Sequence, residues 1–468
     1  MVFSSPIFLF AFLPICLAIY YTIHPKLRNL FLFCASSMFY MWGSGEIVLV
    51  LLVSVFLNYY LSLMIENPRF LKAGYTLAIG IVANLGMLYY YKYATFTMTE
   101  LNRICHWFGV GALHVPAVVL PIGISFFTFQ GISYLIDVYR REVGVAPSVI
   151  DYGMYHTLFP QLIAGPIVRY AEVSKQVAGR QISTHDLFDG VCRFCVGLGK
   201  KILLADSLGV IADQVFGLPG GELTTPLSWL GILCYTQQIY FDFSGYSDMA
   251  IGLGKMLGFT FPENFDQPYR SQNITEFWRR WHMTLSRCLR DYLYIPLGGN
   301  RKGSFRTYFN LCTVFVLCGL WHGAAWSFLA WGAFHGALLI IERVLKQRFQ
   351  LVPTGIWGVL VTNLLVMISW VIFRADTLPQ AMHYLWVMFS FTADSSPYFS
   401  VSYYLTHDKV FFLGLAGLLS FFPFERFSRF NHMPLLVSSR GAFALSVFAF
   451  SVVVIAVQGF NPFIYFRF

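Results

Sequence analysis

The sequence predicts an all-α, polytopic integral membrane protein. Three observations carry that expectation: a shortage of charge, a series of long apolar runs and the lack of strand-like alternation. Of 468 residues, 57% are hydrophobic and only 12% charged, against about 25% charged in an ordinary soluble domain. Mean hydropathy is +0.61. Apolar runs occupy residues 7–23, 47–63, 75–91, 118–138, 229–240, 309–341, 357–373, 410–422 and 442–457. A spanning helix needs roughly 20 mostly apolar residues. Several runs reach that length, and the others read as half-length segments shielded by neighbours. The length rule gives about 9–12 membrane-embedded segments. Continuous apolar runs without alternation argue against a barrel.

Taken in order, the chain opens on Met-Val-Phe-Ser-Ser-Pro with no positive charge, and Lys26 and Arg28 follow the first apolar run. A secretory signal has the opposite order. The first segment is therefore expected to remain, with its C-terminal end on the cytoplasmic side. No Ser- or Pro-rich linker and no repeat divides the chain, so residues 1–468 are expected to form a single membrane domain. Nine cysteines are scattered, and only Cys192 and Cys195 have C-x-x-C spacing. A structural zinc site wants four ligands. The thiols therefore read as small buried side chains, with no metal and no disulfide framework expected.

Net charge is +9, and eight basic residues against two acidic ones lie between Arg270 and Arg306. Such a segment is expected on the cytoplasmic side, where it also attracts anionic lipid. Within it, Asn273 followed by Glu276 resembles a capping box. Trp278, Trp281, Leu285, Leu289 and Tyr292 then recur at helical spacing as an apolar stripe. Arg279, His282, Ser286 and Arg290 share another face, and Pro296 with Gly298-Gly299-Asn300 ends the element. This predicts one amphipathic interfacial helix with His282 projecting among arginines. The guanidinium cluster of Arg279, Arg280, Arg287 and Arg290 suits an anionic ligand such as a nucleotide phosphate. The alternative for His282 is a plain interface residue.

Arg306 and Glu342 bracket 35 uncharged residues that contain His322 and His335. Ionisable groups at membrane depth are costly and face a cavity or a partner. With both ends cytoplasmic, the 306–342 segment is a helical pair with arms of about 25 Å at 1.5 Å per residue. The turn falls within Gly319–Trp326 and carries His322 deep into the bilayer or toward its far face. Gly319 and Gly323 allow close backbone approach. From the residues alone His322 is a structural histidine or a site residue, and spacing leaves both open. A second polar intrusion comprises Tyr240, Asp242, Ser244, Tyr246 and Asp248. It reads as hydrogen bonding at a broken helix or as the lining of a polar tunnel. Gly252-Leu253-Gly254-Lys255 fails as a phosphate loop because Met256 follows the lysine.

Trp278-Arg-Arg-Trp281-His282, running on through Arg290-Asp-Tyr-Leu-Tyr-Ile-Pro-Leu-Gly-Gly-Asn-Arg301, resembles the signature of membrane-bound O-acyltransferases. Leu317-Cys-Gly-Leu-Trp-His322-Gly-Ala-Ala-Trp326 is similar to that family's intramembrane histidine motif. Similarity to the bacterial branch that acts in alginate O-acetylation extends to Leu120–Phe129, Phe159–Pro166, Phe241–Asp248 and the closing Phe463–Phe468. The resemblance implies helices around a central tunnel, His322 as catalytic residue and His282 as a second catalytic position. Trp321, Asp242, Ser244, Tyr246 and Asp248 are then expected to line the tunnel, and Arg279, Arg280, Arg287 and Arg290 to bind the donor. It further implies transfer of an acetyl group from a cytoplasmic thioester, acetyl-CoA or an acyl carrier protein, to an extracytoplasmic hydroxyl. Periplasmic acetyltransferase proteins would be partners, membrane lipid the surroundings and the bacterial inner membrane the location, with no part for nucleic acid. A buried imidazole can serve as general base, worth about 10²–10⁴-fold. D-alanyl, peptidoglycan or cellulose acyl transfer by the same fold is the alternative, and a proton-coupled transporter or flippase is the alternative class.

Overall fold

The computed structural model describes residues 2–69, 71–116, 118–351, 354–393, 400–422, 434–459 and 461–464. Helices account for the ordered elements, and no strand occurs among the described residues. Five helical stretches are long and apolar enough to cross a membrane: Pro25–Glu66, Ala73–Trp107, Trp326–Phe349, Gly355–Arg374 and Ser438–Val457. Phe8–Thr22 is apolar but shorter. The other apolar runs form helices that are shorter or carry charge. Ile124–Tyr139 has 16 residues, and Thr225–Met256 contains Asp242, Asp248 and Lys255. Large apolar side chains such as Trp42, Val82, Trp357 and Leu445 lie exposed on the helices, as a lipid-facing surface requires.

The chain falls into two compact units, Met1–Val191 with Ala250–Pro262 and Cys192–Met249 with Glu263–Phe468. In the first, Val48–Glu66, Ala73–Leu88 and Ile124–Tyr139 pack together around a buried amide pair. Asn84 Nδ2 donates to Asn58 Oδ1 at 2.8 Å, and Asn58 Nδ2 to Asn84 Oδ1 at 3.2 Å. Gly131 lets the third helix close on that pair, because a Cβ there would stand 2.6 Å from Asn58 Nδ2. His156 of this unit is held between Ser54 Oγ, at 3.0 Å, and the Tyr152 hydroxyl, at 3.2 Å.

The second unit is built on a helical hairpin, Gly303–His322 followed by Trp326–Val344. Its three-residue turn lies where the charge brackets placed it. The arms approach so closely that a Cβ on Gly319 would sit 2.2 Å from the Phe328 carbonyl oxygen, and one on Gly332 2.2 Å from that of Phe315. Gly355–Arg374 packs along the second arm.

The basic segment departs from the sequence expectation. Its cap is as anticipated, with Asn273 Oδ1 accepting from Glu276 N at 2.8 Å. Trp278, Trp281 and Leu285 are buried, as the stripe requires. The helix, however, stops at Arg280, and a new one runs Met283–Leu289. Between them Trp281 is extended, and His282 is left-handed at φ 43°, ψ 53°. The freed backbone groups are taken by the preceding loop: Asp266 N donates to Arg280 O at 2.9 Å, and Met283 N to Asn264 O at 3.0 Å. Burial of the Trp281 ring against Phe265, Phe277 and Trp370 accompanies the break. The Gly298–Gly299 turn lies where expected, with φ 107° and 55°.

Gly332→Ala should lower thermal stability in detergent, because overpacking of this kind costs about 1–3 kcal/mol. Gly414→Ala, with nothing within 4 Å of the added atom, should be neutral or stabilising by helix propensity. Thermal unfolding of the two purified variants compares them directly.

Candidate active site

His322 is the last residue of the first hairpin arm. It is 6% exposed, and its ring is walled by aromatic side chains. Trp321 lies at 4.9 Å between centroids, Trp331 at 5.1 Å and Phe373 at 5.3 Å, all edge-on. Trp331 comes from the second arm and Phe373 from the helix packed on it, so three elements converge on the imidazole. His335, one of the two histidines of the uncharged stretch, continues this aromatic bed. Its Nδ1 accepts from Trp278 Nε1 at 3.3 Å, and Trp331 lies 5.0 Å away.

The left-handed turn withdraws His282 from the arginines. The sequence expectation placed it on a polar helical face; the structure buries it with no exposed surface. The reason is the break, which takes His282 off the helical face that a continuous helix would share with Arg279 and Arg290. Its ring meets Phe243 edge-on at 4.7 Å and Trp321 at 5.9 Å. Its Nδ1 is 3.1 Å from Asn264 Oδ1, while Nε2 has no hydrogen-bond partner among the described residues. Burial pushes its pKa down to about 3. The ring is therefore neutral at pH 7, because of desolvation rather than the neighbouring guanidiniums. One indole, that of Trp321, touches both imidazoles. Phe243, Asn264, Trp331 and Phe373 were not expected from the sequence; none has a charge or spacing that sets it apart.

The acidic intrusion lies on a helix that runs unbroken from Thr225 to Met256. Asp242 is 2% exposed, pairs with Lys201 Nζ at 2.7 Å and accepts from Ile464 N at 2.9 Å. Lys201 also holds Asp206 at 2.6 Å. Asp248 is held by Arg193 at 2.8 Å and Lys200 at 2.6 Å. Tyr246 packs edge-on against Phe463 at 4.6 Å, and Ser244 Oγ is buried without a partner among the described residues. Of the five residues expected along a tunnel, Trp321 is the one in ring contact with the histidines. Residues 465–468 of the closing motif lie outside the described residues. Cys192 and Cys195 are buried free thiols.

Two clefts open beside the broken helix. The larger, about 1190 Å³, is lined by Arg279, Arg280, Arg290, Arg343 and Lys346 together with Asp266, Glu276 and Glu342. The smaller, about 450 Å³, has Arg279, Arg287 and Arg290 in its lining and apolar Leu285, Leu311, Val314 and Cys318 elsewhere. Cys318 is one helical turn before His322 on the same helix. The four arginines differ in availability. Arg280 is neutralised by Asp266 at 2.9 Å and Glu276 at 3.0 Å, and Arg290 pairs with Asp291 at 2.7 Å. Arg279 is exposed and lines both clefts. Arg343 and Lys346 escaped the sequence reading because they lie beyond the apolar arm, outside the basic cluster.

Residues 137–378 match the profile of the membrane-bound O-acyltransferase (MBOAT) family. The chain belongs to that family. It is 43% identical, over the full length of both chains, to a protein of Pseudomonas putida described as probable alginate O-acetylase AlgI. A protein of Azotobacter vinelandii with the same description is 49% identical over 84% of this chain and 78% of its own. The peptidoglycan O-acetyltransferase of Helicobacter pylori is 36% identical over 82% of this chain and 79% of its own. The MBOAT member described here is thus a multi-pass membrane enzyme that transfers O-acetyl groups. His282, His322 and the arginine-lined clefts all fall inside the matched region.

Lys201→Met would leave the buried Asp242 and the partly buried Asp206 without their cation, and breaking a buried pair costs about 3–5 kcal/mol. The expected outcome is a large fall in the unfolding temperature of the purified protein.

Proposed function

We propose that this acyltransferase moves an acetyl group from a cytoplasmic thioester to a hydroxyl on the far side of the bacterial inner membrane, with His322 as general base. The observation that carries the reading is His322 at the tip of a hairpin uncharged from residue 307 to 341, beside an indole shared with a second buried histidine. His322 takes the acceptor hydroxyl's proton as the oxygen attacks the acetyl carbonyl. The carbon–sulfur bond then breaks, the electron pair leaves on sulfur, and the imidazolium returns the proton to the thiolate. The products are an O-acetyl ester and a free thiol. A tunnel that holds both substrates adds a proximity contribution.

Acetyl-CoA is the proposed donor. Its phosphates suit the arginine-lined clefts, led by the exposed Arg279, and an acyl arm suits the apolar lining toward Cys318. Trp321 and the polar residues Asp242, Ser244, Tyr246 and Asp248 are proposed to border the passage. The proposed acceptor is an alginate-type exopolysaccharide, reached through periplasmic acetyltransferase partners, because similarity to alginate O-acetylases covers the chain end to end. Peptidoglycan is a second reading, favoured by the Helicobacter pylori relative.

His322→Ala should reduce acetyl-CoA-dependent transfer by at least about 10²-fold, the lower end of general-base catalysis. The variant should elute as folded protein in detergent. Equal thioester turnover by wild type and variant would remove His322 from the chemistry. Arg279→Ala should raise KM for acetyl-CoA about tenfold, the worth of one charge-assisted hydrogen bond, with little change in kcat. An unchanged KM would move the phosphate site elsewhere.

A further inference from the structure

The protonation pattern of His282 is decided by its neighbours. Its Nδ1 faces Asn264 Oδ1 at 3.1 Å. Two other groups approach the same oxygen: Thr284 Oγ1 at 2.9 Å and Thr284 N at 3.4 Å. A backbone N–H only donates, so the amide must turn its oxygen toward it. With the amide reversed, an NH₂ group would face that N–H. The other end of the amide donates to Ser247 Oγ at 3.1 Å. Asn264 is thus fixed at both ends, and its main-chain oxygen also accepts from Met283 N at 3.0 Å.

An acceptor on the Nδ1 side means that Nδ1 carries the hydrogen of the neutral ring. Nε2 is left with a lone pair in a residue without exposed surface, and among the described residues no hydrogen bond reaches it. A buried polar atom without a hydrogen bond carries a free-energy cost. The left-handed backbone of a residue with a Cβ adds a steric one. Two such costs at one position are the kind retained where a ligand relieves them.

We propose that Asn264 is a positioning residue. It locks His282 in the Nδ1–H form, so that Nε2 stands as a buried acceptor for one hydrogen-bond donor of the substrate. This rests on the placement of His282 in the active site. The consequence is chemical. An acetyl thioester carbonyl is itself an acceptor and gains nothing from a lone pair, so His282 is not the group that polarises it. The partner is an N–H or O–H: an amide of the donor's arm, or the acceptor hydroxyl.

Nitrogen-15 NMR of histidine-labelled protein tests the tautomer directly, with the His282 signals assigned by their loss in His282→Gln. The expected result is a protonated Nδ1 and a lone-pair-type Nε2; a protonated Nε2 overturns the proposal. Asn264→Asp, whose carboxylate still accepts from Nδ1, should keep the pattern. Asn264→Ala should lose it and lower kcat about tenfold, as loss of one hydrogen bond does. A folded Asn264→Ala protein with wild-type kcat also overturns it. If Asn264→Ala fails to fold, the wild-type and Asn264→Asp spectra still decide. Full activity in His282→Gln with the expected tautomer would refute the placement of His282 in the site and leave the protonation pattern standing. A donor analogue with its amides replaced by esters separates the two partners. A raised KM assigns Nε2 to the donor arm, and an unchanged KM with slowed acceptor use assigns it to the hydroxyl.

Discussion

The close packing of two helical arms along a glycine seam is the constraint on which the site depends. At Gly319 and Gly332 the backbone of one arm rests against carbonyl oxygens of the other, leaving no room for a methyl group. In lipid, where apolar burial between helices brings no hydrophobic gain, such contact is what holds helices together. The seam ends at a three-residue turn, and His322 is the last helical residue before it. Trp331 and Phe373 reach the ring because the second arm and the helix packed on it are drawn in by the same approach.

A second helix is broken where the first is tight. At Trp281–His282 the chain gives up helical hydrogen bonds, and the Asn264–Asp266 loop takes the freed groups. A buried helix end without such partners would be expensive. The break separates two chemistries that the linear sequence interleaves. The arginines stay at the rim of open clefts, and the histidine turns inward to Phe243, Asn264 and Trp321. A neutral imidazole and a basic rim can then coexist within four residues of chain.

Charges elsewhere in the second unit act as braces. Lys201 holds Asp206 and Asp242, and Asp242 holds the main chain at Ile464, tying the start, middle and end of the unit together. Asp248 is held by Arg193 and Lys200 in the same way. Ion pairs that are buried, as Lys201–Asp242 is, add little net stability but leave a severe penalty if one member is removed. They therefore specify one arrangement of helices more than they strengthen it.

Composition and periodicity alone determined that the protein is helical and membrane-embedded, because apolar length and missing charge are local properties of the chain. The hairpin and its turn beside His322 followed from two bracketing charges, and the cap at Asn273 from its local pattern. Long motifs pointed to the acyltransferase family, which the comparisons bear out. Tertiary structure decided the rest. The stripe of Trp278, Trp281 and Leu285 has helical spacing on either side of the break, so no periodicity could reveal that His282 turns inward. Nor could the sequence tell which arginine stays available, or that an asparagine eighteen residues away governs a histidine's hydrogen. Those features depend on partners brought together by folding, and a residue's type states what it can bond to, never which neighbour arrives.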